Sequence, residues 1–150
     1  MNLYDCCMYF DEDLVLDFRL NILKDHVNNF VIAEATKDHT GRDKKLNFNI
    51  NNFSKFKDKI IYILVEELPK GLHDVSKIKD KNTKGNRIID NTLMIEHNQR
   101  NFIMKGLKDS NDDDLIIVSD VDEIPNLKIN NLSNINKRLI HFKQKMFYYK

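Results

Sequence analysis

The sequence predicts an α/β fold in which a mostly parallel sheet is flanked by helices. Short apolar runs rich in β-branched residues, such as Leu115–Val118, are bounded by polar and turn-forming residues, as is typical of strands buried in a parallel sheet. These runs alternate with segments whose apolar residues recur every three or four positions, which is the spacing of an amphipathic helix. Strands that alternate with helices in this way favour parallel pairing.

The predicted elements begin with a strand, a helix and a second strand, and they end with two strands on either side of an acidic segment. In chain order they are a strand at Leu3–Met8, a helix at Glu12–His26, a strand at Phe30–Ala35, a short helix at Asn51–Lys57, a strand at Lys59–Val65, a helix at Ile88–Lys108, and strands at Leu115–Val118 and Leu139–Tyr149. The sequence has neither Gly-x-Gly-x-x-Gly nor a Gly-Lys-Ser/Thr loop. A bound nucleotide phosphate would therefore have to be held by a metal ion and an arginine.

The first helix is predicted from a row of apolar residues that has an arginine inside it. The residues at helical spacing are Leu16, Leu20, Leu23 and Val27, joined by Leu14, Phe18 and Ile22. Arg19 has two interpretations. Its side chain reaches a carboxylate at a sheet edge, or it lies along the surface with its charged end in water.

The long helix carries a charged pair in the middle of an apolar stripe. The stripe consists of Ile89, Leu93, Glu96, Arg100, Ile103 and Leu107. Glu96 and Arg100 are four residues apart in the favourable order for an ion pair. The pair either closes a packing seam, or it presents the Arg100 guanidinium as a clamp for an anion. Because its apolar neighbours should be buried, we expect Arg100 to face the site rather than solvent.

Three carboxylates follow the apolar run that ends at Val118, namely Asp120, Asp122 and Glu123. Ligands of open α/β sheets bind beyond the carboxyl ends of the strands. If the chain stays extended, Asp120 and Asp122 point to the same side and repel each other unless a cation lies between them. Oxygen ligands favour Mg²⁺ or Mn²⁺. The alternative is a solvated acidic turn without a ligand.

Length and composition are those of a single globular domain spanning residues 1–150. The net charge of +1 gives no general attraction to nucleic acid or to an anionic membrane. Cys6 and Cys7 are adjacent, so on a strand they would point to opposite faces and could not form a bridge. We therefore expect a reducing, cytoplasmic location. The longest apolar run, Ile60–Val65, is far shorter than the about 20 residues of a membrane span.

Several segments, in their order and spacing, carry a resemblance to a known family. They are Tyr4-Asp5-Cys6 and Phe10, Asp17-Phe18-Arg19-Leu20-Asn21, Phe30-Val31-Ile32-Ala33-Glu34-Ala35, Thr40-Gly41, Glu96-His97-Asn98-Gln99-Arg100-Asn101, and the segment from Asp113 to Pro125. Together they cover residues 2–125 and resemble glycosyltransferase family 17, which contains the β-1,4-mannosyl-glycoprotein N-acetylglucosaminyltransferases.

This resemblance implies a Rossmann-like fold of the glycosyltransferase A type and a nucleotide-sugar donor such as a UDP-sugar. It also implies transfer of an N-acetylglucosamine-like sugar to a glycan acceptor. Asp120 and Asp122 correspond to the family's metal-binding Asp-x-Asp, with Mn²⁺ or Mg²⁺ as cofactor. Arg100, Glu34 and Asp120 correspond to donor-binding residues. The family's tryptophan shortly before the arginine has no counterpart, because the helix offers Leu93 there.

The sequence suggests no carboxylate base for the transfer. No aspartate or glutamate follows Pro125, and we expect the acceptor-binding half that should follow the metal motif to be missing. We therefore expect a truncated enzyme whose 150 residues transfer little sugar on their own. Two alternatives are a truncated domain that binds nucleotide sugar without turnover and a phosphohydrolase of the haloacid-dehalogenase kind. The latter also has Asp-x-Asp after an apolar strand, but there it follows the first strand.

Overall fold

The computed structural model of the chain describes residues 1–128 and 138–145. Within them the regular elements are β1 (Leu3–Tyr9), α1 (Asp13–Leu23), β2 (Asn29–Ala35), a first 3-10 segment (Ile50–Lys59), β3 (Ile60–Val65), α2 (Lys81–Phe102), a second 3-10 segment (Ile103–Leu107) and β4 (Leu115–Val118). In this part of the chain, no helix is both long enough and apolar enough to cross a membrane.

The four described strands form one sheet in the order β3-β2-β1-β4, and all neighbours are parallel. The predicted Rossmann-like α/β fold is therefore confirmed. The chain moves outward from β1 to β3 and then returns through α2, so that β4 pairs with the other side of β1. Such a reversal leaves a crevice at the carboxyl ends of the two strands, where α/β proteins bind ligands.

A hydrophobic cluster covers each face of the sheet, and the two adjacent cysteines of β1 belong to different clusters. One hydrophobic cluster contains Cys7, three leucines of α1 and two phenylalanines of the first 3-10 segment. The other contains Cys6, β2 residues and the second 3-10 segment. Both thiols are free and buried, as expected for opposite faces of a strand.

Burial should make these thiols inert in the folded protein. It raises the pKa of Cys7 to about 12 and raises that of Cys6 as well, because a thiolate loses its hydration in the core. We expect iodoacetamide at pH 8 to alkylate neither cysteine in the native protein and both in denaturant, as counted by intact-mass spectrometry. Rapid native alkylation would show that β1 is not in the core.

Three details of the predicted burial are wrong. Leu14, Phe18 and Ile22 are exposed, because α1 packs on the sheet through the opposite side, with Leu16, Leu20 and Leu23. In α2, Ile89 and Leu93 are likewise exposed, whereas Ile95 and Gln99 are buried. Strand β4 is not buried on both faces, since Ile116 and Val118 are exposed at what is the sheet edge among the described residues.

Two other predictions differ from the structure, one for the start of a helix and one for a strand. Helix α2 begins at Lys81 rather than Ile88, because the Asp80 side chain accepts hydrogen bonds from the Asn82 and Thr83 amides and caps the helix. The last predicted strand is not seen in residues 139–145, which have no regular secondary structure. Its remaining residues, 146–149, lie outside the described part of the chain.

Gly106 lies where the second 3-10 segment makes its closest approach to β2. A Cβ added there would be 2.5 Å from Cγ1 of Val31, a buried β-branched side chain with little room to move. We expect Gly106→Ala to lower the free energy of unfolding by about 1–3 kcal/mol, measured by urea denaturation. Gly85→Ala is the matched control, because a Cβ at that α2 position meets nothing within 4 Å. It should stabilise by up to about 1 kcal/mol, and equal effects of the two changes would contradict the close packing.

Candidate functional site

A cleft of about 440 Å³ opens at the carboxyl ends of β1 and β4, the point where the strand order reverses. Its walls come from the end of β1, the first turn of α1, the loop after β2, helix α2 and the turn after β4. The polar side chains lining it include His39, Glu96, Gln99, Asp120 and Asp122. The cleft is therefore at the edge of the sheet where the sequence predicts a site with carboxylates.

The two aspartates reach the cleft from a turn and not from an extended strand. Strand β4 ends at Val118, and backbone hydrogen bonds run from the Glu123 amide to the Asp120 carbonyl (3.0 Å) and from the Ile124 amide to the Asp122 carbonyl (3.1 Å). The premise of an extended Asp-x-Asp is thus wrong. Both side chains nevertheless line one cleft, because Val121 between them is buried and anchors the turn.

Arg100 connects α2 to this turn. Its Nη2 atom donates to Asp120 Oδ1 at 3.0 Å and to Glu96 Oε1 at 3.0 Å, and its side chain is 38% exposed. The other guanidinium nitrogens make no hydrogen bond within the described part of the chain. Arg100 is not itself in the lining of the cleft, but the structure brings it to one of the two aspartates that are and leaves part of its guanidinium available to an anion. Arg100 is not oriented by burial of the predicted apolar stripe of α2, since Leu93 on that stripe is exposed.

Asp122 differs from Asp120 in that its side chain has no hydrogen-bond or ion-pair partner among the described residues. Its side chain is exposed and accepts no hydrogen bond from any residue that the structure describes. Among those residues, no group of three or more His, Cys, Asp or Glu side chains is arranged to hold a metal ion. Two carboxylates still suit Mg²⁺ or Mn²⁺, which in nucleotide sites commonly take one or two carboxylates and complete their shell with phosphate oxygens and water.

Arg19 is fully buried, which resolves its two interpretations in favour of a carboxylate partner. Its Nε and Nη2 atoms donate to Asp5 Oδ2 and Oδ1, both at 2.7 Å. The pair lies under the Asp-x-Asp turn, because Nη2 also donates to Ser119 Oγ at 2.7 Å and Nη1 donates to backbone carbonyls of the turn. Burial disfavours the charge, yet the hydrogen bonds to Asp5 outweigh it and raise the pKa of Arg19.

Glu34 is also fully buried, and its carboxylate is occupied by protein donors. Oε1 accepts from Lys44 Nζ (2.7 Å) and the Asn47 amide (2.8 Å), and Oε2 accepts from the Phe48 amide (3.2 Å) and the Tyr62 hydroxyl (2.8 Å). Burial alone would raise the pKa of Glu34, but these donors lower it below its usual range. The structure therefore places Glu34 beneath the loop after β2, where it orders that loop, and not in the lining of the cleft.

The loop ordered by Glu34 supports an aromatic wall of the cleft. Phe10 and His39 stack with ring centroids 6.4 Å apart and planes 12° from parallel, and both line the cleft. Lys44 Nζ lies 4.8 Å from the centroid of the Phe10 ring, and Asn47 Nδ2 donates to the Phe10 carbonyl at 2.8 Å. No local sequence pattern predicts this wall, because its residues come from separate segments of the chain.

A second cleft, of about 750 Å³, lies beside the same turn. Asp120 and Asp122 line both clefts, while Glu123 and His141 line only this one. No carboxylate side chain follows Pro125, but His141 does. The structure brings to this cleft two groups that can accept a proton, one of which is a histidine in the segment after Pro125.

Comparison with known proteins gives one match. The model of the family described as "Glycosyltransferase family 17" matches residues 1–150. The chain belongs to glycosyltransferase family 17. Neither the curated proteins nor the solved structures contain a match to it.

Family 17 membership makes this protein a transferase that takes a sugar donor and a glycan acceptor. The phosphohydrolase alternative loses its support, because the Asp-x-Asp turn follows the fourth strand in chain order rather than the first. The candidate site also includes residues that lie in the segments carrying the resemblance but to which the sequence assigned no role. Asp5, Ser119 and Gln99 are spread over the whole chain, and only the fold brings them together.

Proposed function

We propose that this family 17 protein binds a UDP-sugar in the first cleft and transfers its N-acetylglucosamine-like sugar to a glycan hydroxyl in the second. Asp120 and Asp122 would hold Mn²⁺ or Mg²⁺ against the donor diphosphate. The observation that carries the proposal is the Asp122 carboxylate, which has no partner among the described residues and lies in a turn beside the Arg100 guanidinium at the reversal of strand order. Uridine and N-acetylglucosamine rest on the family resemblance.

A bound metal ion and the Arg100 guanidinium would together suit a diphosphate better than either would alone. When bound, the metal ion would neutralise charge on the leaving diphosphate. Arg100 can use its remaining N–H groups for a phosphate oxygen while Glu96 keeps it in place. Its contact with Asp120 partly offsets the negative charge of the carboxylates until a cation and a nucleotide arrive.

The two clefts would give the donor and the acceptor separate places beside one turn. A sugar whose diphosphate lies at Asp120 and Asp122 can reach either cleft, since both side chains line both. The acceptor hydroxyl must lose a proton during transfer, and a base within about 3 Å of it is required. Glu123 and His141 are the candidates that face the second cleft.

The proposal is tested by calorimetric titration of UDP, GDP and ADP into the protein, each in Mn²⁺ and again in EDTA. We expect UDP to bind in Mn²⁺ and to bind much more weakly in EDTA, because the diphosphate would then face two carboxylates without a cation. Stronger binding of GDP or ADP would change the proposed nucleotide. Equal binding of UDP in EDTA would remove the metal from the proposal.

Arg100→Gln should separate binding of the nucleotide from binding of the metal. We expect UDP affinity in Mn²⁺ to fall by about 1.5–3 kcal/mol, the range for a hydrogen bond to a charged group, which is roughly 10- to 150-fold. Binding of Mn²⁺ alone should be no weaker, because a positive charge has been removed from beside Asp120. Arg87→Gln is the control, since Arg87 is on the same helix but pairs with Asp90 and, unlike Arg100, makes no ion pair with Asp120. Unchanged UDP affinity in Arg100→Gln would exclude the clamp.

A further inference from the structure

We propose that Arg19 is the positioning residue of the Asp-x-Asp turn: from the middle of the core, its guanidinium fixes the backbone from which Asp120 and Asp122 project. The inference rests on the proposed function, because its value to the enzyme is a preformed place for a metal ion and a diphosphate. Arg19 lines neither cleft and so would act only through the turn.

The hydrogen bonds of Arg19 point in two directions. On one side, Nε and Nη2 hold both oxygens of Asp5 at 2.7 Å. On the other side, Nη1 donates to the carbonyls of Asp120 (2.7 Å), Val121 (3.2 Å) and Glu123 (3.3 Å). One planar group thus connects a strand to three carbonyls of one turn, which a flexible ammonium could not reproduce.

The fixed end of this connection is the centre of the sheet. Asp5 is 1% exposed and is paired in register with Phe30 of β2 on one side and Ile117 of β4 on the other. The other end is closed by Ser119, whose hydroxyl accepts from Arg19 Nη2 (2.7 Å) and donates to the Glu123 carbonyl (3.0 Å). These hydrogen bonds therefore connect the turn to the end of β4, which it follows, and to β1, the neighbouring strand.

Stability alone does not account for this arrangement. A buried ion pair replaced on both sides by apolar residues often leaves a protein equally stable or more so, because neither charge then has to be desolvated. Apolar residues at positions 5 and 19 could fill the core as well. What they could not do is donate to the carbonyls of Asp120, Val121 and Glu123. The directional contacts are the property that the ion pair adds.

The test uses the double variant Asp5→Val/Arg19→Met, which removes both charges together. We expect it to unfold at a urea concentration close to that of the wild type. Amide exchange at Glu123 and Ile124, whose hydrogen bonds close the turn, should become about tenfold faster or more. UDP affinity in Mn²⁺ should fall about 10- to 100-fold, as when the partners that orient metal ligands are lost. Turn exchange and UDP affinity that both stay at wild-type values would overturn the proposal.

Two further variants keep the test decisive. Arg19→Lys retains a charge beside Asp5 but has too few fixed donors for the whole turn, so exchange and affinity should lie between wild type and the double variant. It replaces the double variant if that chain does not fold, and wild-type values for both measurements would then overturn the proposal. Gly106→Ala, which is destabilised elsewhere in the fold, should leave turn exchange unchanged. If amide exchange of the turn became as fast in Gly106→Ala as in the double variant, it would report general stability, which also overturns the proposal.

The exchange measurement needs no ligand, so it is independent of the proposed function. Faster exchange of the turn with no UDP binding by any variant or by the wild type would contradict the proposed function and leave the positioning role of Arg19 standing. Faster exchange with unchanged UDP affinity would contradict the link between the two and overturn the inference.

Discussion

Asp122→Asn is expected to lose about 100-fold or more of its affinity for UDP in Mn²⁺. Loss of a residue that only orients a metal ligand costs about 10- to 100-fold, and Asp122 is proposed as a ligand itself. The amide keeps the size of the side chain but removes its charge. Because Asp122 is exposed and accepts no hydrogen bond from the described residues, the substitution should leave the urea unfolding midpoint unchanged. The loss can then be assigned to the site and not to the fold.

The matched control for this substitution is Asp113→Asn. Asp113 is an exposed acid just before β4, and it lines neither cleft. Asp113→Asn removes one negative charge from the same acidic segment, so this variant reports any general electrostatic effect on Mn²⁺ binding. Titration calorimetry of wild type and both variants with UDP in Mn²⁺ gives the comparison. Wild-type affinity in Asp122→Asn, or an equal loss in Asp113→Asn, would refute the assignment of Asp122.

Arg19→Met alone is expected to lower the free energy of unfolding by about 3–5 kcal/mol, the cost of removing one partner from a buried ion pair. The Asp5 carboxylate, 1% exposed, would be left without its guanidinium. For a domain of this size, that corresponds to a fall in the melting temperature of roughly 6–20 °C. Urea denaturation of Arg19→Met and of the double variant with Asp5→Val makes the comparison. The double variant should recover most of the loss, and a single variant that is as stable as the wild type would show that Asp5 is not buried as a charge.

The parts of the fold that the sequence could predict are those determined by local patterns. Runs such as Ile60–Val65 and Leu115–Val118 are strands because β-branched apolar residues suit a pleated buried surface. Their alternation with helices requires parallel pairing. The site's position follows from the same topology, because the carboxyl ends of parallel strands meet at one edge of the sheet.

Burial of individual helix residues could not be predicted, since α1 has two apolar stripes. Leu16 and Leu20 are buried, and Phe18 is exposed, but all three fit a helical period. Only the surface against which α1 packs distinguishes the stripes. The turn at Asp120 was missed for a related reason. A strand-like spacing of the aspartates assumes that β4 continues, and the sequence does not show that it ends at Val118.

The roles of Arg19 and Glu34 depend on partners that are distant in sequence. Arg19 contacts Asp120 across 101 positions, and no local pattern distinguishes an arginine buried in this way from one on the surface. Glu34 is at the end of β2 as expected, but its neighbours Lys44 and Tyr62 come from a loop and another strand. A resemblance marks such residues as part of a site without showing which of them contact the ligand and which hold other residues in place.

The central claim is that Asp120 and Asp122 hold a divalent cation against a nucleoside diphosphate. A crystal structure of the protein with Mn²⁺ and UDP, with data collected at the manganese absorption edge, tests it most directly. We expect an anomalous difference peak between the two aspartate side chains, with the diphosphate on the Arg100 side of the first cleft. A peak elsewhere on the chain, or UDP bound with no manganese at Asp120 and Asp122, would contradict the claim.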